Sequence, residues 1–411
     1  MRILVYEYFS GGGFTSDSFS LSILCEGLGM LNTLISDFKT AGHHTSTIID
    51  LRIIKLNLPP IKANQIIPIS SFANLQDAII GLSEVIDAAY IIAPETNGIL
   101  QSILRIIEYA GIISLNCSIS GIEKVSDKTS FIKSLKKINV NTPKTIGFSL
   151  SEKLSNVKIK ISKNLCFPIV IKPSKGTSCE GISIVRNEKK LKNAITKIRE
   201  ETISKNFLAQ EYIKGISVSV SLLSTENKVI FISLNKQNLI LAEPDSNSIY
   251  EGGFVPYETH LKKQSFEIVK RIITAFPGLK GYVGLDLILT DNNVVVIEIN
   301  PRLTTSYVGI RNVVKTNLAQ ELINCYFKKK LPSQIITYGY SFFSKIKVQT
   351  SPAQPFISNT QSEEIISGLV QIYGFKTAWA LISVKGKTKK ETVKKFGKVK
   401  KNLKRHIKGG K

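Results

Sequence analysis

Apolar and polar positions change rhythm twice along the chain. From Met1 to about Gly121, short β-branched runs (ILVYEY, TIIDL, AAYIIAP, IISLN) alternate with longer stretches of helical spacing. That rhythm predicts βαβ units and a parallel sheet covered by helices, an α/β class. From about Ile122 to Lys330 the pattern is more mixed. Phe131, Ile132 and Leu135 fall at helical spacing after Ser126-Asp127-Lys128, with Ser126 or Asp127 as N-cap and Pro143 closing the unit. A strand follows over Phe167–Lys172, then a small hydroxyl-rich loop, Ser174–Gly181, and a second strand from Ile182. Lys189–Glu201 reads as a helix, and Phe207–Ile213 leads through Gly215 into another strand. The expected units are 1–121, 122–330 and 331–411, within the roughly two to four domains such a length implies. The third carries no readable motif, and its basic tail spans 385–411.

The sharpest local pattern is Gly284–Arg302, GLDLILTDNNVVVIEINPR. Asp291-Asn292-Asn293 is turn chemistry between two apolar runs. A loop centred on Asn292 sets Asp286 directly across from Glu298, and Asn300, two residues on, shares that face. Like charges opposed on a sheet are destabilising. Two carboxylates and an amide oxygen placed together therefore require a cation. Oxygen-only ligation suits a hard ion such as Mg²⁺, bound through one or two carboxylates plus substrate phosphates. The alternative is a solvated hairpin edge, against which Val294, Val295, Val296, Ile297 and Ile299 argue for burial. A one-residue slip would turn one acid to the opposite face.

Composition narrows the class. Hydrophobic residues make up 43% and mean hydropathy is +0.08, enough for substantial cores. No apolar run reaches the ~20 residues that span a bilayer, and the N-terminus reads as a strand and glycine turn, not a signal peptide. The five cysteines are odd in number and widely spaced, without a CxxC pair. Zinc and a disulfide framework are disfavoured, and a reducing cytoplasm is the expected setting. Cys179 reads as a loop filler, because no histidine lies near it in sequence. His43 and His44 read as surface residues without companion ligands. Ser10-Gly11-Gly12-Gly13 is either a tight strand exit or a close approach to a ligand.

The net charge is +24, and half of it lies in Lys385–Lys411, with thirteen Lys/Arg and one Glu. The preferred reading of that tail is a disordered, solubilising segment. The alternative is an amphipathic helix, with Val393, Phe396, Val399 or Lys400, Leu403 and Ile407 near one face, for nucleic acid or an anionic membrane surface. The basic body favours acidic ligands such as nucleotides.

Lys128 after Ser-Asp, the strand-terminal Lys172, the glycine/hydroxyl loop, Glu211-Tyr212-Ile213 and the acid hairpin closing on Asn300-Pro301-Arg302 form one ordered set. In this order they resemble the ATP-grasp superfamily over about Gly121–Asn312. The upstream unit resembles the domain that precedes ATP-grasp in such enzymes. The implied fold is an N-terminal parallel α/β domain followed by a two-subdomain ATP-grasp fold, α+β in character, with its lid at about 145–215. Tyr6–Gly13, Ala93–Thr96, Tyr250–Gly253 and NPRLTTS look, more narrowly, like the archaeal tyramine–glutamate ligases of methanofuran biosynthesis and their relatives.

The resemblance implies roles by position. Lys128 and Lys172 would bind ATP phosphates under a mobile lid that includes Gly176, Thr177, Ser178 and Gly181. Glu211, Tyr212 and Ile213 would hold the adenine. Asp286, Glu298 and Asn300 would ligate two Mg²⁺ or Mn²⁺ ions, and Arg302, with Lys172, would steady the transferred phosphoryl group. Many relatives carry an acid for the ribose shortly after the hinge; here Gly215–Ser219 has none. Glu251, Gly252, Gly253, Thr304, Thr305 and Ser306 are candidates for the substrate wall, with ordinary turns as the alternative. The implied activity joins a small-molecule carboxylate, such as L-glutamate, to an amine, such as tyramine, through an acyl-phosphate. Two rival readings are a ligase for another amino acid, peptide or cofactor precursor, and a nucleotide-dependent binding protein that uses its basic tail. Nothing in the pattern marks an oligomer interface.

Overall fold

The computed structural model describes every residue except 15–19, 57–60, 177–178, 226–227, 351–363, 372–375 and 410–411, and the side chains of 405–409. Three sheets organise the chain. The first contains β1 (Arg2–Glu7), β2 (His44–Asp50), β3 (Gln65–Ile69), β4 (Ala88–Ile92) and β5 (Ile113–Ser114) in the order β3-β2-β1-β4-β5. Every neighbouring pair in it is parallel. Four of these strands follow the apolar runs of the sequence. The fifth, β3, carries Pro68 and lies at the sheet edge, where a missing backbone N–H is tolerated.

The helix Leu21–Thr40 covers one face of this sheet. By length and composition it could cross a membrane. In the fold its Leu24, Leu28, Leu31, Leu34, Ile35 and Phe38 are instead buried in a core shared with β1, β4 and the central sheet. Its apolar content is that of an inner helix wrapped on several sides.

A four-stranded antiparallel sheet follows, formed by β6 (Thr145–Ser149), β7 (Ile169–Pro173), β8 (Ser183–Val185) and β9 (Asn206–Glu211) in the order β6-β9-β7-β8. It has a core of its own, built from Phe148, Ile169, Ile171, Leu191, Ile195, Ile198 and Phe207. The turn between β7 and β8 is the glycine/hydroxyl loop; its Thr177 and Ser178 lie outside the described residues.

The central sheet has eight strands: β10 (Ile216–Ser224), β11 (Val229–Ile240), β12 (Ile249–Val255), β13 (Gly281–Leu289), β14 (Val294–Asn300), β15 (Tyr340–Gln349), β16 (Val370–Gln371) and β17 (Thr377–Gly386). They run in the order β14-β13-β10-β11-β12-β15-β17-β16, each antiparallel to its neighbours. The segment after residue 331 thus extends this sheet. The basic tail is not a solvated coil: Lys389–Gly409 is helical, and Phe396, Val399 and Leu403 pack with Ile346, Val348 and Val384. That helix spends its apolar face on the protein.

Gly252 and Gly253 lie where β12 passes between β11 and β15. A Cβ on Gly252 would stand 2.1 Å from the Phe343 carbonyl oxygen, and its φ is +136°. A Cβ on Gly253 would stand 2.4 Å from the Lys236 carbonyl oxygen. These glycines serve strand packing. Gly252→Ala is expected to cost about 1–3 kcal/mol through left-handed strain and overpacking. The check is the urea midpoint, which falls while the m-value stays unchanged.

Candidate functional site

A cavity of about 440 Å³ opens between the three sheets. The lid sheet contributes Val170, Lys172, Ile184, Gln210 and Glu211, and the segment after β9 contributes Tyr212, Ile213 and Gly215. The central sheet contributes Ser217, Ser219, Gln237, Tyr250, Asp286, Glu298 and Asn300. Arg302 and Thr304 to Ser306 follow directly after β14 and also line it.

The acid hairpin forms with Asp286 paired opposite Glu298. The route to that pairing differs from a loop centred on Asn292. Leu289 pairs with Val294, Ile288 with Val295 and Leu287 with Val296, so the turn is centred between Asp291 and Asn292. A bulge between Asp286 and Leu287 then shifts the register by one and brings Asp286 to Glu298. Bulges re-aim side chains in this way next to active sites. Ile297, the extra residue, is half-buried and lines the cavity.

Three side chains hold the pair. The Lys128 ammonium lies 2.9 Å from Glu298 Oε2. Lys128 opens the helix Lys128–Lys137, whose N-cap Asp127 accepts the Ser130 N–H at 2.7 Å. Gln237 Nε2 donates to Asp286 Oδ1 at 2.9 Å, and Asn300 Nδ2 donates to Asp286 Oδ2 at 3.2 Å. Burial, then the charge of Glu298, raises the Asp286 carboxyl well above the usual carboxylate range. Burial pushes Glu298 the same way, but the ammoniums of Lys128 and Lys172 outweigh it and hold Glu298 low. Of the two, Asp286 holds a proton more readily than Glu298.

Lys172, on β7, is 4% exposed. Burial and the neighbouring Lys128 bring its ammonium down to about 8. Arg302 is fixed by Glu95, with Nε 2.8 Å from Oε2, and its Nη1 donates to the Leu303 carbonyl at 3.2 Å. Glu211 Oε2 accepts the Lys144 N–H at 3.2 Å, which anchors the strand end beside the cavity.

Most of the residues singled out from sequence converge here: Lys172, Glu211, Tyr212, Ile213, Asp286, Glu298, Asn300, Arg302, Thr304, Thr305 and Ser306 line the cavity. Lys128 stands behind Glu298. Gly176 and Gly181 flank the turn above and do not line it, and Glu251 to Gly253 do not line it either; Tyr250 does. Gln237, Glu26 and Lys345 were not anticipated. Lys345 lies 2.7 Å from Glu26 Oε2, and the Thr305 hydroxyl donates to Glu26 Oε1. The available signal was Glu26 itself, a lone acid inside the apolar stretch SILCEGLGM.

The donor set tests well for a hard divalent ion. The carboxylates of Asp286 and Glu298 face each other, with the Asn300 amide in hydrogen-bond contact with Asp286. Among the described residues no group of three or more His, Cys, Asp or Glu is assembled. An ion here would complete its shell with water and phosphate oxygens, as Mg²⁺ commonly does.

Comparison with known proteins follows the same lines. Residues 125–306 match the ATP-grasp domain, and residues 43–122 match the pre ATP-grasp 3 domain. The chain is 31% identical over 326 residues to the tyramine–L-glutamate ligase of Methanocaldococcus fervens, covering 78% of this chain and 92% of that protein. It is 29% identical to the ligase of the same name from Methanocaldococcus jannaschii, covering 78% and 88%. The L-amino acid ligase of Bacillus licheniformis shares the fold, with a TM-score of 0.66 and 14% identity over 98% of this chain and 97% of that one.

The opposed acids make a stability prediction. Asp286→Asn removes one carboxyl and keeps the acceptor for Gln237. The ligand-free protein is expected to keep its stability or gain up to about 1 kcal/mol. The increment in Tm conferred by Mg²⁺ with ATP should disappear. A ligand-free variant destabilised by several kcal/mol would show that the pair is structural.

Proposed function

The chain belongs to the ATP-grasp family and is an ATP-dependent carboxylate–amine ligase, and we propose that it couples an amino-acid carboxylate, L-glutamate in the first instance, to a primary amine such as tyramine. The observation that carries this reading is the convergence of Lys128, Lys172, Asp286, Glu298, Asn300 and Arg302 around one cavity. The identity of the substrates rests on the similarity to the two tyramine–L-glutamate ligases.

The chain's own groups divide the work. Val170, Ile184 and Leu287 offer an apolar slot beside Glu211–Ile213 that suits a flat base, with backbone groups of Tyr212 and Ile213 at its edge. Serines at 217 and 219 stand where relatives place the ribose acid, so hydroxyls replace a carboxylate there. Lys172 and Lys128 neutralise phosphate oxygens. Asp286, Glu298 and Asn300 would hold divalent metal, as two Mg²⁺ or Mn²⁺ ions. The chemistry such metal would supply is neutralisation of phosphate charge during transfer.

The substrate carboxylate attacks the γ-phosphorus of ATP, the bond to ADP breaks, and an acyl-phosphate results. Arg302, locked by Glu95, lies beside this exchange and stabilises the transferred group. The amine then attacks the acyl carbon and phosphate leaves. Proteins in this chemistry mainly position reactants and stabilise charge. The lid sheet, with its separate core, excludes water from the acyl-phosphate. All five cysteines are free, which fits a reducing setting.

The direct test is ADP release across carboxylates paired with amines, glutamate with tyramine included. No ADP above background with any pair would sink the ligase reading. Glu298→Gln should lower kcat by about 10²–10³-fold or more, the scale for one electrostatic group, while circular dichroism and Tm stay near those of the parent. Near-normal turnover would overturn the assignment of Glu298 to the metal.

A further inference from the structure

The N-terminal unit supplies one wall of the cavity, with Glu7, Phe9, Ile23, Glu26, Met30 and Ile92 among its residues. Two of the charges on this side are already matched: Arg302 pairs with Glu95, and Glu26 pairs with Lys345. Glu7 is different. It ends β1, is 2% exposed and lines the cavity. Among the described residues no cation pairs with it. Its oxygens accept the backbone N–H groups of Ser10 at 2.8 Å and Phe9 at 3.1 Å. The helix Leu21–Thr40 makes room for it with Gly27, where a Cβ would stand 2.5 Å from the Glu7 carboxyl carbon.

A buried carboxyl that faces a cavity without a cation is costly unless a ligand completes it. The neighbouring wall is apolar, through Phe9, Ile23, Met30 and Ile92. Glu7 would repel a substrate carboxylate, which belongs beside Arg302 instead. An ammonium group on an apolar body fits this wall by charge and by surface.

We propose that Glu7 receives the ammonium of the amine substrate and takes its proton before the amine attacks the acyl-phosphate. The proposal rests on the ligase reading above. One N–H bond breaks and its electron pair stays on nitrogen, while the proton passes to the Glu7 carboxylate. The nitrogen lone pair then forms the C–N bond, and the bond from the acyl carbon to the phosphate oxygen breaks with its electrons leaving on phosphate. The second nitrogen proton goes to that phosphate, and Glu7 returns its own to solvent. Burial, against the opposing hydrogen bonds of Ser10 and Phe9, pushes Glu7 up to about 7, a suitable range for a base at neutral pH.

The test compares wild type and Glu7→Gln with L-glutamate and MgATP, using either tyramine or hydroxylamine as nucleophile. Glutamine keeps a carbonyl oxygen to accept the turn N–H groups but cannot take a proton. Hydroxylamine is uncharged at neutral pH and needs no base. Glu7→Gln should lower tyramine amide formation by about 10²-fold or more, while hydroxamate formation stays within about threefold of wild type. The hydroxamate reaction also reports that the variant is folded. Undiminished tyramine coupling would overturn the proposal, as would equal loss of both products, which marks Glu7 as a structural cap of the turn. A wild-type chain that yields neither product nor ADP with any pair defeats the ligase reading itself, and the role of Glu7 with it.

Discussion

Two acidic side chains facing each other across an antiparallel pair set the terms for the rest of this site. Asp286 and Glu298 cannot both be ionised at this spacing without compensation. The fold supplies part of it through Lys128 and two amide donors. The balance is left to ligands. A buried arrangement of this kind is weak support for stability, so its presence in the outermost strand pair of the central sheet is better accounted for by a metal and a triphosphate than by folding.

The surrounding architecture keeps that arrangement accessible to three bodies at once. The central sheet holds the acids, the lid sheet brings Lys172, and the N-terminal sheet brings Glu7 and Glu95. The N-terminal and central sheets share two apolar clusters, whereas the lid core shares no residue with either. The contacts from lid to central unit include two backbone-directed bonds, Ile184 N–H to the Ala242 carbonyl and the Ser248 hydroxyl to the Ile182 carbonyl. Further ties, Arg186 to Glu243 and Lys190 and Asn193 to Asp245, join the lid to the segment between β11 and β12.

The C-terminal residues change meaning in three dimensions. Their strands carry Lys345 to Glu26, and so reach the cavity wall from behind. The Lys389–Gly409 helix lays its apolar face on those strands, which leaves its lysines toward solvent. An in-plane membrane helix needs that apolar face free.

Local chemistry alone carried much of this. The parallel unit was legible because its strands are continuous β-branched runs, and the Asp127 cap because capping is a contact within one turn. The pairing of Asp286 with Glu298 was legible because a hairpin is short, although the bulge at Ile297 that delivers it was not: either of two registers satisfies the same alternation, and packing on both faces chooses between them. β3 was missed because a proline-bearing edge strand has no periodic signature, and β15 and β17 because long-range partners give no spacing in sequence. Glu251–Gly253 looked like a binding turn, and only the approach of Phe343 and Lys236 shows why glycine is needed there. The sequence by itself determined which groups can bind phosphate and metal, since that is a property of residue type and short spacing. Tertiary structure alone decided which groups meet, as with Gln237 on Asp286, Glu95 on Arg302, Lys345 on Glu26 and Glu7 at the cavity wall, because each pair is joined by packing between elements far apart in the chain.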